Sequence, residues 1–549
     1  MRAKGTAWGK RIAIALAYPN LPSVGMANLG FQTLHQRLNQ REDVICERFF
    51  FHPPRSDGRG NSPPPPSVPR SWDSGNPITA FDILAFSIPF ENDFINILTF
   101  LSLSNIPLES LQRNPDSPLV IAGGMTSFIN PEPIAPFIDI FLIGEGETLL
   151  DTFLDTFSRY RPDIVNRDFR PLLDIPGIYI PSFYDIDYSP EGSIASRTAH
   201  PPAPTSIPKQ VERDINRFIT FYTFPKEASE FSDMAILEVN RGCPRGCRFC
   251  AAGYLCLPFR NRSLESLVAF LRETRPSQST IGLLGTGVSD HPDLLPLSRE
   301  ILSLGYHVSF SSLRIDRISD TLASLLKKGG QKTVTLAPEA GSQRLRNLLK
   351  KDISEEQILE AVDILATYDI LNLKLYFMIG LPGETMDDIH AILSLIRKIR
   401  HTVLKHRYQN KRLGRITVTI SPYVPKPGTP FQWFPFLDLS DIKTRLGWLK
   451  KNLSKEANTH VIADLPKWAY IQAILSKGDR RISMLLKRVH QNGGNWPQSF
   501  KESPINPDFF ATRLLDEKEI LPWDFIDTGI SKSRLLKEYR QALQEMAAF

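Results

Sequence analysis

Twice along this chain, short apolar runs alternate with helical stretches, and that alternation constrains the fold more than any other feature. From residue 235 the runs are AILEVN, TIGLLGTG, HVSFSSLR, TVTLAPEA, LNLKLYFMIG and RITVTISPYV. Helix signals lie between them. Ser263 precedes a stripe of Leu264, Leu267, Val268 and Leu271, Ser354 and Gln357 form a capping box, and Thr385 and Asp388 form another. Apolar strands separated by helices make a parallel sheet covered on both faces. Six consecutive units predict a partial (β/α)6 TIM-like barrel over 235–459, with its functional residues at the strands' C-terminal ends. The first series, IAIALAY, VICERFFF, FDILAFSI, PLVIAGG and IDIFLIG, predicts a flavodoxin-like doubly wound α/β domain over 1–160, which takes ligands beyond its strands' carboxyl ends. Residues 53–77, rich in Pro, Gly and Ser, read as a surface loop of that domain, and 161–234 as a proline-rich linker with small strands. Residues 460–549 read as a mostly helical region, including one amphipathic stretch AYIQAILSKGDRRISMLLKRVHQNG. A chain of 549 residues exceeds what one core supports, which agrees with this division.

Only five cysteines occur, at 46, 243, 247, 250 and 256. They are too few and too unevenly placed for a disulfide framework, which places the chain in a reducing cytoplasm. No apolar run is long enough to span a membrane, and IAIALAY reads as a buried strand rather than a signal segment. A net charge of +6 permits a polyanionic partner without arguing for one. Cys243, Cys247 and Cys250 fall directly after the first barrel strand in RGCPRGCRFC. Three thiolates on one loop can each hold one iron of a 4Fe–4S cube and leave the fourth iron open, as open catalytic zinc sites leave a position for substrate. Cys256 is either a packed thiol or a fourth ligand. With a fourth ligand the site becomes a closed iron–sulfur or zinc module, an electron carrier rather than an enzyme.

CxxxCxxC with Phe249 before its last cysteine, after strand one of a six-unit barrel, resembles the radical S-adenosylmethionine (SAM) superfamily. The resemblance implies that Cys243, Cys247 and Cys250 ligate a 4Fe–4S cluster whose open iron binds the amino and carboxylate groups of SAM. It also implies an electron donor, reduced ferredoxin or flavodoxin, and cleavage of SAM to a 5′-deoxyadenosyl radical that abstracts a substrate hydrogen. Cofactor contacts implied by position are Phe249, Thr286 and Gly287 in LLGTGVSD (where the family's GGE-like turn has lost its Glu), and Ser311, Ser312 and Arg314 in SSLRID, although Arg314 and Asp316 also suit a surface pair. Glu339 in LAPEAGSQRLR resembles a ribose-contacting acid or caps the next helix, and Arg344 suits a carboxylate. Gly380 and Gly383 in MIGLPGET match an adenine-side motif. No catalytic side chain beyond the cluster is assigned.

The N-terminal domain, with VIAGGMTSFINPEPIAPFIDIFLIGEGE, is similar to cobalamin-binding-like domains fused to radical enzymes. SPYVPKPGTPFQWFP and LPWDFIDTGISKSRLLKEY look like an uncharacterised radical family of that architecture. Ser87, Gly123 and Gly124 are compatible with cobalamin. Asn28 stands where a cobalt-ligating His would be and Ala27 cannot ligate, so His ligation from VGMANLG is excluded. A methylthiotransferase is disfavoured, since its second trio of cysteines has only Cys46 to draw on. The basic run 397–415 reads as a solvated barrel exterior, with RNA as the substrate it would suit.

Overall fold

The computed structural model describes residues 8–51, 68–224, 234–406 and 414–548, so part of the expected loop at 53–77 and of the basic run at 397–415 lies outside the described residues. The first sheet contains β1 (Ile12–Tyr18), β2 (Val44–Phe50), β3 (Ile83–Ser87), β4 (Leu119–Gly123), β5 (Ile140–Leu142) and β6 (Ile178–Tyr179). Its order is β2-β1-β3-β4-β5-β6, and every neighbouring pair is parallel except β5–β6. β1 is buried at all seven positions because both faces are covered. Ile12, Ile14 and Leu16 pack with Phe31 and Leu38 of helix Leu29–Asn39 and with Phe153 and Phe157 of helix Gly146–Arg159. Ala13, Ala15 and Ala17 belong to the core on the opposite side, with Phe94, Ile97 and Leu98. Because β1 lies between β2 and β3, the order of the strands reverses there, the kind of place where parallel sheets open a crevice beyond their carboxyl ends.

The segment that follows carries the hairpin β7 (Tyr184–Tyr188) and β8 (Ile194–Ala199), the two-residue β9 (Ile207–Pro208) and β10 (Phe221–Thr223). The second set of strands is β11 (Met234–Arg241), β12 (Arg260–Asn261), β13 (Thr280–Gly285), β14 (His307–Phe310), β15 (Thr333–Glu339), β16 (Asn372–Ile379), β17 (Ile416–Pro422) and β18 (Thr459–Ala463). β11-β13-β14 and β15-β16-β17-β18 are parallel runs. They meet where the Leu313 N–H donates to the Thr335 carbonyl at 3.3 Å. All six strands read from the sequence are present in chain order. The expected helix starts are too: Ser263 accepts from the Ser266 N–H, and Ser354 and Gln357 exchange both capping-box bonds at 3.2 and 2.8 Å. At the third, the Thr385 N–H donates to Asp388 at 2.7 Å.

Two features differ from the sequence reading. β18 lies at the start of the tail read as strandless; its five residues alternate half-buried and exposed, so no apolar run marks it. The stretch read as one amphipathic helix is two, Pro466–Lys477 and Ile482–Gln491. They break at Gly478, whose extended ψ of 153° leaves the helix, and Asp479 turns the chain by accepting from the Arg481 N–H. The last helix, Lys532–Ala547, packs through Leu535 and Tyr539 on Trp433, Phe434 and Leu348. A final short strand, β19 (Ile526–Asp527), pairs with β9 and ties the tail to the inter-domain segment.

Candidate functional site

The cysteine loop leaves the end of β11 through Gly242, whose φ of +74° suits a residue without a side chain and whose Cα faces the Cys256 carbonyl too closely for a Cβ. The loop is held on several sides. The Tyr254 hydroxyl donates to the Gly246 carbonyl at 3.0 Å, and the Arg248 N–H donates to the Leu349 carbonyl at 3.0 Å. Arg248, between the second and third cysteines, has a side chain only 1% exposed. Its guanidinium donates to both oxygens of Glu545 (2.6 and 2.9 Å), to Glu538 (3.3 Å) and to the Leu348 carbonyl (2.9 Å). Lys350 adds a bond to Glu538 at 2.7 Å. The last helix therefore grips the loop by charge-assisted, partly bidentate hydrogen bonds. Nothing near Arg248 in the sequence signals this, because its partners lie 290 and 297 residues away.

Cys247 is buried, and Cys243, Cys250 and Cys256 are partly so. Burial pushes the Cys247 thiol up, against the pull of Lys351 and Arg314. Burial likewise raises Cys250 to about 11, with Cys247 and Cys243 adding to the shift. Cys256 is also raised by burial, but its nearest charges are Lys209, Glu145 and Arg260, ahead of Cys243. Glu339 and Cys243 act on Cys247 and Cys250 alike. Among the described residues no three His, Cys, Asp or Glu side chains converge as on a single metal ion. A four-iron cube holds its thiolates more widely than one ion does. Three cysteines on one loop after one strand can each hold one iron of a cluster and leave its fourth iron open; metal binding draws the protons off such thiols.

The remaining strand ends surround this loop. The Asn240 amide donates to the Gly287 carbonyl at 2.7 Å and its oxygen accepts from the Gly287 N–H at 3.2 Å, while the Thr286 hydroxyl donates to the Gly242 carbonyl. Thr286 and Gly287 are thus tied to the cysteine loop. Asn240 was missed in the sequence, where a polar residue ending an apolar strand just before the cysteine loop was its one signal. Ser311 and Ser312 are exposed after β14. Arg314 donates to both oxygens of Asp316, at 2.8 and 3.2 Å. Arg245 of the cysteine loop binds Asp290 at 2.5 Å. Glu339 ends β15 with φ +69°, a left-handed conformation uncommon outside glycine, beside a register shift, and accepts from Lys351 at 2.9 Å. The Arg344 guanidinium is engaged by Asp388 and by the Gly383 carbonyl at 3.0 Å. Gly380 and Gly383 have φ of +79° and +67°. The Gly380 N–H donates to Glu384, whose carboxyl burial pushes up to about 7 although Arg445 and that N–H oppose the shift. Phe249 and Met378 are partly buried against the cluster of Tyr254, Trp433 and Tyr539.

The two domains join beside the cysteine loop. Glu145 accepts from Arg260 (2.6 and 3.0 Å) and Arg241 (3.1 Å), and Arg241 also reaches Glu147 at 2.5 Å and both oxygens of Glu238 at 3.0 Å. Glu145, Glu147, Glu238 and Arg241 line a cleft together with Asn28, Ser87, Pro89 and Gly124. The first domain also holds an apolar cavity among Ile14, Leu16, Leu38, Ile121 and Leu154. Cavity and cleft share Leu34, Ser87, Gly124 and Gly146. The Asn28 side chain accepts from the Phe31 N–H at 2.9 Å and so caps helix Leu29–Asn39. Within the basic run, Arg397 and Arg400 pair with Glu456, Lys398 with Glu355 and His406 with Asp363. Among the described residues no helix is long and apolar enough to cross a membrane.

Residues 237–396 match the family model of the radical SAM superfamily, and residues 30–181 match that of the N-terminal region of radical SAM proteins. An uncharacterised protein of Methanocaldococcus jannaschii is 28% identical over 480 residues, covering 86% of this chain and 90% of its own. An uncharacterised methyltransferase of Pyrococcus horikoshii is 22% identical over 59% of this chain and 68% of its own. The ribosomal protein uS12 methylthiotransferase RimO of Pelobacter propionicus is 25% identical over 33% of this chain and 44% of its own. Among solved structures, the cobalamin-dependent SAM radical enzyme OxsB, with aqua-cobalamin and SAM bound, aligns with 98% of this chain and 80% of its own at 13% identity and a TM-score of 0.48. With both family models matched in the order of the two domains and the cysteine triad inside the second, the chain belongs to the radical SAM superfamily, and it is an enzyme of the kind that works with a 4Fe–4S cluster and SAM.

Proposed function

We propose that the protein holds cobalamin between a flavodoxin-like domain over 1–160 and a partial (β/α)6 barrel over 235–459, and that it uses radical chemistry to modify an unactivated carbon of its substrate, with methyl transfer the favoured outcome. When bound, the cluster supplies one electron, drawn from reduced ferredoxin or flavodoxin, that cleaves SAM to the hydrogen-abstracting 5′-deoxyadenosyl radical, and cobalamin supplies a methyl carrier. The observation that carries the reading is the continuity of cavity and cleft through Ser87, Gly124 and Gly146. An apolar pocket adjoining a polar cleft suits a flat macrocycle with an aromatic base on its tail. Gly124, at φ +104° against the Ile88 backbone, keeps that mouth free of side chains. Asn28, committed to its helix cap, would supply no imidazole to a bound corrinoid.

The remaining roles follow from position. Cys243, Cys247 and Cys250 hold the cluster. Asn240 fixes the Thr286–Gly287 turn against the cysteine loop, where it meets the amino-acid end of SAM. Lys351 holds Glu339 toward the ribose. Gly380 and Gly383 give the adenine ring a close approach to backbone. Methyl transfer is also the activity named for the Pyrococcus relative.

The test is anaerobic reconstitution of the full chain with iron, sulfide and hydroxocobalamin. Expected are visible cluster absorbance, retained corrinoid and 5′-deoxyadenosine on reduction with SAM. Cys250→Ala abolishes the cluster and Cys256→Ala leaves it. Loss of the cluster in Cys256→Ala to the same degree overturns the open-iron reading, and absence of corrinoid from a cluster-loaded protein overturns the cobalamin reading.

A further inference from the structure

The inner face of the barrel strands is not a packed core. Side chains alternate across a strand. On β15, β16 and β17, Val334, Leu336, Leu373, Leu375, Val418 and Ile420 are buried with the helix layer. The alternate positions Thr335, Lys374, Tyr376 and Thr417 are only half-buried. A barrel whose interior serves stability alone fills such positions with Val, Ile and Leu. Hydroxyls and a lysine there make that face polar.

Register places these groups side by side. Thr335 and Thr417 flank Lys374 on the neighbouring strands, and Thr419 lies beside Tyr376 one level up. The Lys374 ammonium stands 5.3 Å from the Tyr376 ring centre, and among the described residues no carboxylate pairs with it. The Thr419 hydroxyl oxygen is buried with no partner. A half-buried cation without a counter-charge and an orphaned hydroxyl on the same face are costly unless a ligand answers both.

We infer that this face receives the substrate and that Lys374 binds an anionic group on it, a carboxylate or a phosphate, with Thr335 and Thr417 donating alongside. The inference rests on the proposed function for the position of the reacting centre. Met378, at the cofactor end of β16, lies four residue steps beyond Lys374, about 13 Å at ~3.3 Å per residue. The substrate is therefore elongated, anionic at one end and attacked at the other. Lys374 is a specificity-determining residue, not a catalytic one.

The experiment is lysine acetylation of the reconstituted wild-type protein, read by mass spectrometry, with pyrophosphate, succinate or uncharged glycerol at equal millimolar concentration. Lys374 is expected to react several-fold more slowly with an anion present, while exposed Lys467 is unchanged. Protection by pyrophosphate alone assigns a phosphorylated substrate, and protection by succinate alone a carboxylated one. Lys374→Met is expected to weaken binding of the protecting anion by about tenfold or more, and Lys374→Arg to retain it. Unchanged labelling of Lys374 with both anions, or equal slowing at Lys467, overturns the inference even if 5′-deoxyadenosine forms. Protection at Lys374 in a protein that binds no cluster leaves the anion site standing and overturns the radical reading instead.

Discussion

Arg248→Met is the sharpest perturbation of the cysteine loop that leaves Cys243, Cys247 and Cys250 in place. The substitution keeps the buried stem and removes a guanidinium whose side chain is 1% exposed. Four hydrogen bonds go with it, three of them to carboxylates. Removing one partner of a buried pair costs about 3–5 kcal/mol. The lower end applies here, because Glu545 is 33% and Glu538 20% exposed, so water and Lys350 take over part of their solvation. About 3 kcal/mol corresponds to about two decades in an equilibrium constant. The assay is hydrogen exchange on cluster-free protein under anaerobic conditions. Amide protection in helix Lys532–Ala547 and in residues 243–256 is expected to fall by about a hundredfold, while β1 and β3 are unaffected. On reconstitution, iron per chain should drop, since the loop now pays the ordering entropy that the helix had removed. Arg248→Lys should recover only part of the effect, having one point charge in place of a fork. Protection changed by less than about threefold with a full complement of iron would show that the helix packs on the loop without holding it.

Other outcomes follow from the same geometry. Asn240→Ala frees the Gly287 turn and should raise the KM for SAM several-fold while cluster absorbance stays at the wild-type level. Leu154→Trp fills the apolar cavity and should remove corrinoid from protein reconstituted with hydroxocobalamin while leaving iron content unchanged. Burial raises Glu384 to about 7 in the folded chain. The folded state then holds a proton that the unfolded state releases above about pH 4.3, so wild-type stability declines as pH rises from there to about 7 and is flat beyond. Relative to Glu384→Gln, the decline should reach about 3 kcal/mol at most, read from unfolding midpoints of cluster-free protein between about pH 5 and about pH 8. Gly124→Ala places a Cβ against the Ile88 backbone at a positive φ and should destabilise the first domain measurably by exchange of β3 and β4 amides.

Local patterns in the sequence carried what local physics decides. The six strands of the second series and the helix caps were legible because apolar period and capping chemistry act within a few residues. The cysteine triad stood out for the same reason: its three thiols occupy one loop after one strand. Contacts formed by closure were not. Arg248 with Glu538 and Glu545, Glu145 with Arg241 and Arg260, and Asn130 with the carbonyls of Ser476 and Gly478 join segments tens to hundreds of residues apart. β18 escaped because an edge strand that alternates half-buried and exposed residues carries no apolar run. The Leu34–Leu154 cavity escaped because its lining residues look like ordinary core in any one helix or strand; only their failure to meet makes a pocket.

The barrel strands hold one signal that the sequence offered and a search for apolar runs passes over. In LNLKLYFMIG the residues alternate Asn, Lys, Tyr, Met against Leu, Leu, Phe, Ile, and RITVTIS alternates Thr against Ile and Val. A strand buried between helices and a packed barrel interior needs apolar residues at both parities. Strict alternation says instead that one face meets something polar. With helices covering Leu373, Leu375 and Phe377, that face is the barrel interior. Thr335 and Thr417 flank Lys374 on that face, and among the described residues no carboxylate pairs with its ammonium. The same period that identifies β16 as a strand therefore marks the side of it on which the substrate belongs.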